Sequence, residues 1–142
     1  MDIYLDVDGV LLTKNLEPAN YVNEFIRYVL KEYPDTTYWL TTRCNGDASV
    51  TVRQIAHLFE PDVAELLNRI KPTTRILSPK TSSINFSRPF IWFDDNLFNA
   101  EKEELIKQNS FDNWVGVDLK KDPDMLSKFI ESFPMPIDCL SD

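Results

Sequence analysis

Ile3-Tyr4-Leu5-Asp6-Val7-Asp8-Gly9-Val10 is a short apolar run that breaks into two aspartates and a glycine. The run has the length and composition of a buried strand, expected over residues 2–7. Two later runs end in the same manner. Tyr38-Trp39-Leu40 leads into Thr41-Thr42-Arg43, and Phe90-Ile91-Trp92-Phe93 leads into Asp94-Asp95-Asn96. In a parallel sheet the C-terminal strand ends share one edge, where α/β proteins bind their ligands. The three signals therefore belong to one expected site.

Between the strands the spacing turns helical. Tyr21, Val22, Phe25, Ile26, Val29 and Leu30 recur at helix period, with Pro18 suited to the first helical turn and Tyr33-Pro34-Asp35 as a stop. Residues 9–16 read as a loop or small hairpin, and residues 36–41 as the second strand. Helix is expected over 48–59 and 62–70, interrupted at Pro61. Residues 74–77 predict a weak third strand, 89–94 a strong fourth and 115–117 a fifth. Residues 97–108 predict a helix with a charged outer face, and 123–133 a last helix before an irregular tail from Pro134. Strands alternating with helices imply βαβ units, and right-handed crossovers place helices on both faces of the sheet. The expected architecture is a three-layer α/β/α sandwich with a mostly parallel sheet of about five strands.

The bulk numbers agree. A chain of 142 residues, with 43% hydrophobic and 27% charged residues, suits one globular domain over 1–142. A net charge of -8 disfavours nonspecific binding to nucleic acid or anionic membrane. No apolar run reaches the roughly 18 residues of a membrane span. The N-terminus enters an acidic strand, which is not the pattern of a signal peptide. Cys44 and Cys139, far apart in sequence, suggest free thiols rather than a disulfide framework or zinc motif. The expected location is cytoplasmic.

Asp6 and Asp8 are two residues apart. In a continuous strand their carboxylates would point the same way and repel. The chain must bend there, bind a cation, or both, and Gly9 gives it freedom to bend. Mg²⁺ suits the setting, since it takes one or two carboxylates together with phosphate oxygens and water. Thr41 or Thr42 offers a hydroxyl to a phosphoryl oxygen. Lys80, with Lys71 as rival, offers a neutralising ammonium. Arg43 offers a phosphate contact or a surface ion pair. His57, the single histidine, leaves no basis for a serine-type triad or a histidine metal cluster. Three glycines in all leave little room for a glycine-rich phosphate loop, and none is present.

On these residues the chain resembles the haloacid dehalogenase (HAD) superfamily of aspartate-nucleophile phosphotransferases. Its first motif looks like Asp6-Val7-Asp8-Gly9-Val10, its threonine motif like Thr41, its lysine motif like Lys80 and its acidic pair like Asp94-Asp95. The likeness spans residues 4 to 96, in the family's order. It implies a Rossmann-like fold and an Mg²⁺-dependent phosphatase. Asp6 would be the nucleophile that becomes a phosphoaspartate, and Asp8 the general acid and base. Thr41 and Lys80 would hold the phosphoryl group, with Thr42 and Arg43 beside the substrate. The resemblance implies metal ligation by Asp6, Asp8, Asp94 and Asp95, with Asp8 offering its backbone carbonyl. A second aspartate in the first motif favours a phosphatase over a dehalogenase.

Only 32 residues separate Asp8 from Thr41, and 38 separate Thr41 from Lys80. Neither gap holds a cap domain. In the family an open site goes with a macromolecular substrate, such as a phosphoprotein or nucleic-acid end, or with a partner subunit that supplies the cap. The stretch Arg88 to Asp95 also looks like small family domains linked to nucleic-acid repair. The competing functions are a phosphotransferase or dehalogenase on the same scaffold, and a non-catalytic module that binds a phosphorylated partner.

Overall fold

The computed structural model describes residues 1–132; the expected tail and Cys139 lie outside the described residues. Five strands form an all-parallel sheet: β1 (Asp2–Leu5), β2 (Thr37–Trp39), β3 (Lys71–Pro72), β4 (Phe90–Asp94) and β5 (Trp114–Gly116). Their spatial order is β3-β2-β1-β4-β5. The chain thus builds outward from β1 in one direction, then crosses back to build in the other. The reversal lies between β1 and β4, and at such a switch point the strand ends diverge to leave a crevice. This is the expected α/β, Rossmann-like fold.

Alternate strand residues divide the core in two, as the pleat requires. Ile3, Leu5, Trp39, Ile91 and Phe93 pack on one face of the sheet. Tyr4, Leu40, Phe90 and Trp92 pack on the other. The first face is covered by α1 (Val22–Glu32), α2 (Ser49–Ile55), α3 (Pro61–Leu67) and α5 (Met125–Ser132). The second is covered by α4 (Asn99–Lys107), which contributes Leu105. Strands buried on both sides need the near-continuous apolar runs seen in the sequence. On α1, Val22, Phe25, Ile26, Val29 and Leu30 form the buried stripe. Phe25 meets Phe93 edge to face at 5.4 Å between ring centroids.

Two expectations need correction. Residues 74–77 are not a strand; Lys71–Pro72 pairs with β2 instead. The reason lies in the neighbouring turn. The Thr73 carbonyl accepts the Gly46 N–H, and Asn45 accepts the Arg75 N–H, so this segment is tied to residues 45–46 rather than to the sheet. Ile76 is left 92% exposed. Pro18 also does not start a helix. It forms an isolated bridge with Leu12, and α1 begins only after Tyr21, whose left-handed backbone (φ 63°) turns the chain into the helix. The helical stretch expected over 48–59 becomes α2 followed by a 3₁₀ turn at Ala56–Leu58, and α3 starts at Pro61.

Among the described residues, the β1–β2 link contains only the 9–21 loop and α1, and the β2–β3 link only α2, the 3₁₀ turn and α3. No helix of the described residues is long and apolar enough to cross a membrane.

Phe25→Ala removes a fully buried ring that joins α1 to the central sheet. It is expected to cost about 3–5 kcal/mol. Urea unfolding checks this: the midpoint should fall while the slope stays unchanged.

Candidate metal and phosphate site

β1 ends at Leu5, and Asp6 stands just beyond it at the sheet's C-terminal edge. The Val7 N–H donates to Asp6 Oδ1 at 2.8 Å, which holds the carboxylate at the rim. The chain then bends as the two aspartates require. The Val7 carbonyl accepts the N–H groups of Val10, Leu11 and Leu12, closing a tight turn. Gly9 sits in that turn at φ 82°, where a side chain is strained. A Cβ there would also collide with the Asp95 carboxylate. Gly9 therefore lets the first acidic turn and the fourth strand's acidic end lie against each other.

Asp94 is the last residue of β4, and Asp95 follows it. Carboxylate oxygens of Asp6, Asp94 and Asp95 all lie within 4.8 Å of one another. Asp6 and Asp94 are buried, while Asp95 is exposed. Such a group fits a small hard cation, which prefers oxygen ligands and keeps room for water or a bound anion. Asp8 lines the same cleft but is not one of these three.

Lys80 supplies the opposing charge. Its Nζ donates to Asp94 Oδ2 at 2.6 Å and lies 3.4 Å from Asp6 Oδ2. Burial works against the ammonium, but the Asp6 and Asp94 carboxylates outweigh it and hold the Lys80 pKa above its ordinary value. Burial first, and then the Asp6 charge, push the Asp94 carboxyl up to about 8 despite Lys80. One ammonium does not balance the set, and a divalent cation would.

Lys71, the rival lysine, lies on the exposed edge strand and donates to the Asp35 carbonyl at 2.8 Å. It does not line the cleft. Of the two threonines, Thr42 lines the cleft together with Asp6, Asp8, Lys80 and Asp94. Thr41 is buried, and its hydroxyl accepts the Arg43 N–H at 3.2 Å.

Arg43 grips Asp8 with two parallel bonds, Nε to Oδ2 at 2.7 Å and an Nη to Oδ1 at 2.8 Å. That fork holds the Asp8 carboxyl below its ordinary pKa. The Asp8 side chain is 47% exposed, so solvent screens the pair. His57 is exposed and away from the cleft residues.

One residue of the site escaped the sequence reading. Glu101 was expected on the charged outer face of its helix, yet it is 3% exposed and lines the cleft. One carboxylate oxygen accepts the Lys80 N–H at 3.0 Å, and the other accepts the Phe98 N–H at 3.1 Å. Phe98 has no side-chain acceptor, so this is half a capping box. Glu101 fixes the start of α4 and the backbone of Lys80 at once. The available signal was an acid three residues after the helix cap.

The cleft between these residues measures about 200 Å³ and has Asn96 and the exposed Phe98 on its wall. No protein-family model, curated protein or solved structure matches this chain.

The Asp94 shift has a stability consequence. Its carboxyl ionises at 3.8 ordinarily and at about 8 in the fold, so the fold takes up a proton between those values. Stability of the metal-free protein is expected to fall as pH rises through that window and to level off above it. Stabilisation by a divalent cation, which needs the ionised carboxylate, should grow over the same window. Asp94→Asn should raise the metal-free melting temperature and remove the cation response. Thermal melts at pH 5.5 and 8.5, with and without Mg²⁺, measure both effects.

Glu101→Ala leaves the Lys80 and Phe98 N–H groups without this acceptor and is expected to cost about 1–3 kcal/mol in all. Glu101→Gln keeps one acceptor oxygen and should lose less. Denaturant midpoints of the two variants check the order.

Proposed function

We propose that this protein is an Mg²⁺-dependent phosphomonoester hydrolase that works through a phosphoaspartate at Asp6. The observation that carries this reading is the convergence of Asp6, Asp94, Asp95 and Lys80 at the switch point of a parallel sheet. The order and spacing of the motifs, which resemble those of the haloacid dehalogenase superfamily, support it as well. Phosphoryl transfer asks mainly for positioning and charge neutralisation, and this site offers both.

Asp6, Asp94 and Asp95 would hold the cation, which would supply positive charge beside the phosphoryl group. An Asp6 oxygen attacks phosphorus, and the ester P–O bond breaks with its electron pair leaving on the alcohol oxygen. That oxygen takes a proton from Asp8. Water then attacks phosphorus of the phosphoaspartate and gives its proton to Asp8. Inorganic phosphate departs and the Asp6 carboxylate is restored. Lys80 would neutralise the phosphoryl oxygens, with Thr42 on the cleft wall.

Asp8 needs its proton in the first step, whereas Arg43 holds it ionised in the free protein. A phosphate dianion competes for the same guanidinium. In this mechanism substrate draws Arg43 away, and the Asp8 carboxyl is then no longer held below its ordinary pKa. With no domain inserted over the cleft among the described residues, a macromolecular substrate or a partner subunit would complete the enclosure.

Hydrolysis of p-nitrophenyl phosphate should require Mg²⁺ and fall about a thousandfold or more in Asp6→Asn. Full activity in Asp6→Asn would exclude the nucleophile assignment. Arg43→Ala releases Asp8 from the fork, so the Asp8 limb of the kcat/KM profile, which reports the free protein, should move to higher pH. An unmoved limb would remove Asp8 from the mechanism.

A further inference from the structure

A second and larger cavity, about 580 Å³, opens directly beside the acidic cleft. Gly9 and Asp95 line it, and Asp95 also lines the acidic cleft, so the two share a border. One side is the 9–16 loop, which brings Lys14 and Asn15. The other is the segment after β5, which brings Val117, Leu119 and Lys120. Neither segment is a loose strand of chain. Thr13 Oγ1 accepts the N–H groups of Asn15 and Glu17, and the Thr13 N–H donates to the Glu17 carbonyl. Across the cavity, Asp118 Oδ1 accepts the Lys121 N–H, and the Asp122 N–H donates to the Asp118 carbonyl.

Lys14 and Lys120 thus stand on two hydrogen-bonded turns facing one cavity. Neither has a carboxylate partner among the described residues, although the chain as a whole is acidic. Asp118 also lines the cavity, and its carboxylate is engaged in closing its own turn. Val117 is buried, and with Leu119 it gives the cavity an apolar side suited to the body of a small organic group. The volume is in the range of small-molecule sites.

We propose that this cavity is a leaving-group subsite for phosphomonoesters that carry a second phosphate, which Lys14 and Lys120 bind. This rests on the hydrolase reading of the adjoining cleft. The cleft would hold the phosphate to be cleaved, and the cavity the remainder of the molecule. A free bisphosphorylated metabolite and a phosphorylated strand end present the same chemistry.

The test is calorimetric titration of Asp6→Asn protein, in Mg²⁺, with thymidine 3′,5′-bisphosphate and with the 3′- and 5′-monophosphates. The bisphosphate should bind about tenfold more tightly than either monophosphate, the scale of a charge-assisted contact. Lys14→Ala with Lys120→Ala should abolish that preference. Equal affinities, a preference that survives both substitutions, or no binding would overturn the proposal. A 5′-phosphorylated dinucleotide distinguishes the sources. Affinity equal to the bisphosphate identifies a strand end, and weaker binding identifies a free bisphosphate. Wild-type turnover of p-nitrophenyl phosphate is a separate readout. Its absence would remove the hydrolase reading while the affinity contrast still stands or falls alone.

Discussion

Repulsion among Asp6, Asp94 and Asp95 organises the functional edge of this protein. Three carboxylates within 4.8 Å, two of them buried, oppose folding unless positive charge or protons enter. Lys80 supplies one charge, and the raised Asp94 pKa reflects burial and the Asp6 charge that Lys80 does not offset. The apolar layers on both sides of the sheet are extensive enough to carry such a site. Trp39, Trp92, Phe25 and Phe93 are all buried around the strands that present the acids. The stability lies in the layers, and the destabilising charges sit at the strand ends where ligands approach.

The rest of the site follows from holding that arrangement open. Gly9 admits Asp95 against the first turn, because any side chain there would meet the carboxylate. Glu101 brings the Lys80 backbone to α4, so the neutralising lysine arrives on a fixed support rather than a free loop. Arg43 ties the threonine segment to Asp8 and favours its ionised form. Each contact joins two segments distant in sequence, and each limits the positions that a phosphoryl group and a cation could share.

Much of this was legible in the sequence because strands buried on both faces leave continuous apolar runs. Leu5, Leu40 and Phe93 each end such a run, and the polar residue that follows marks the sheet edge. The order of β2, β1 and β4 in space then made one site of three signals. What remained illegible depended on contacts made outside the element concerned. The β-rich Thr74 to Leu77 stretch lost its place in the sheet to the Asn45–Gly46 turn. Tyr21, with its left-handed backbone, moved the helix start past Pro18. Glu101 looked like a solvated helix acid, since nothing local reveals that the Lys80 N–H donates to it. The pairing of Arg43 with Asp8, and the choice between Lys80 and Lys71, likewise needed the spatial neighbours.

Rapid acid quenching during turnover of p-nitrophenyl phosphate, followed by peptide mass spectrometry, tests the central claim most directly. The account predicts one added phosphoryl group on the peptide containing Asp6, labile to hydroxylamine and absent from Asp6→Asn. Turnover with no adduct, or with an adduct on another residue, would contradict it.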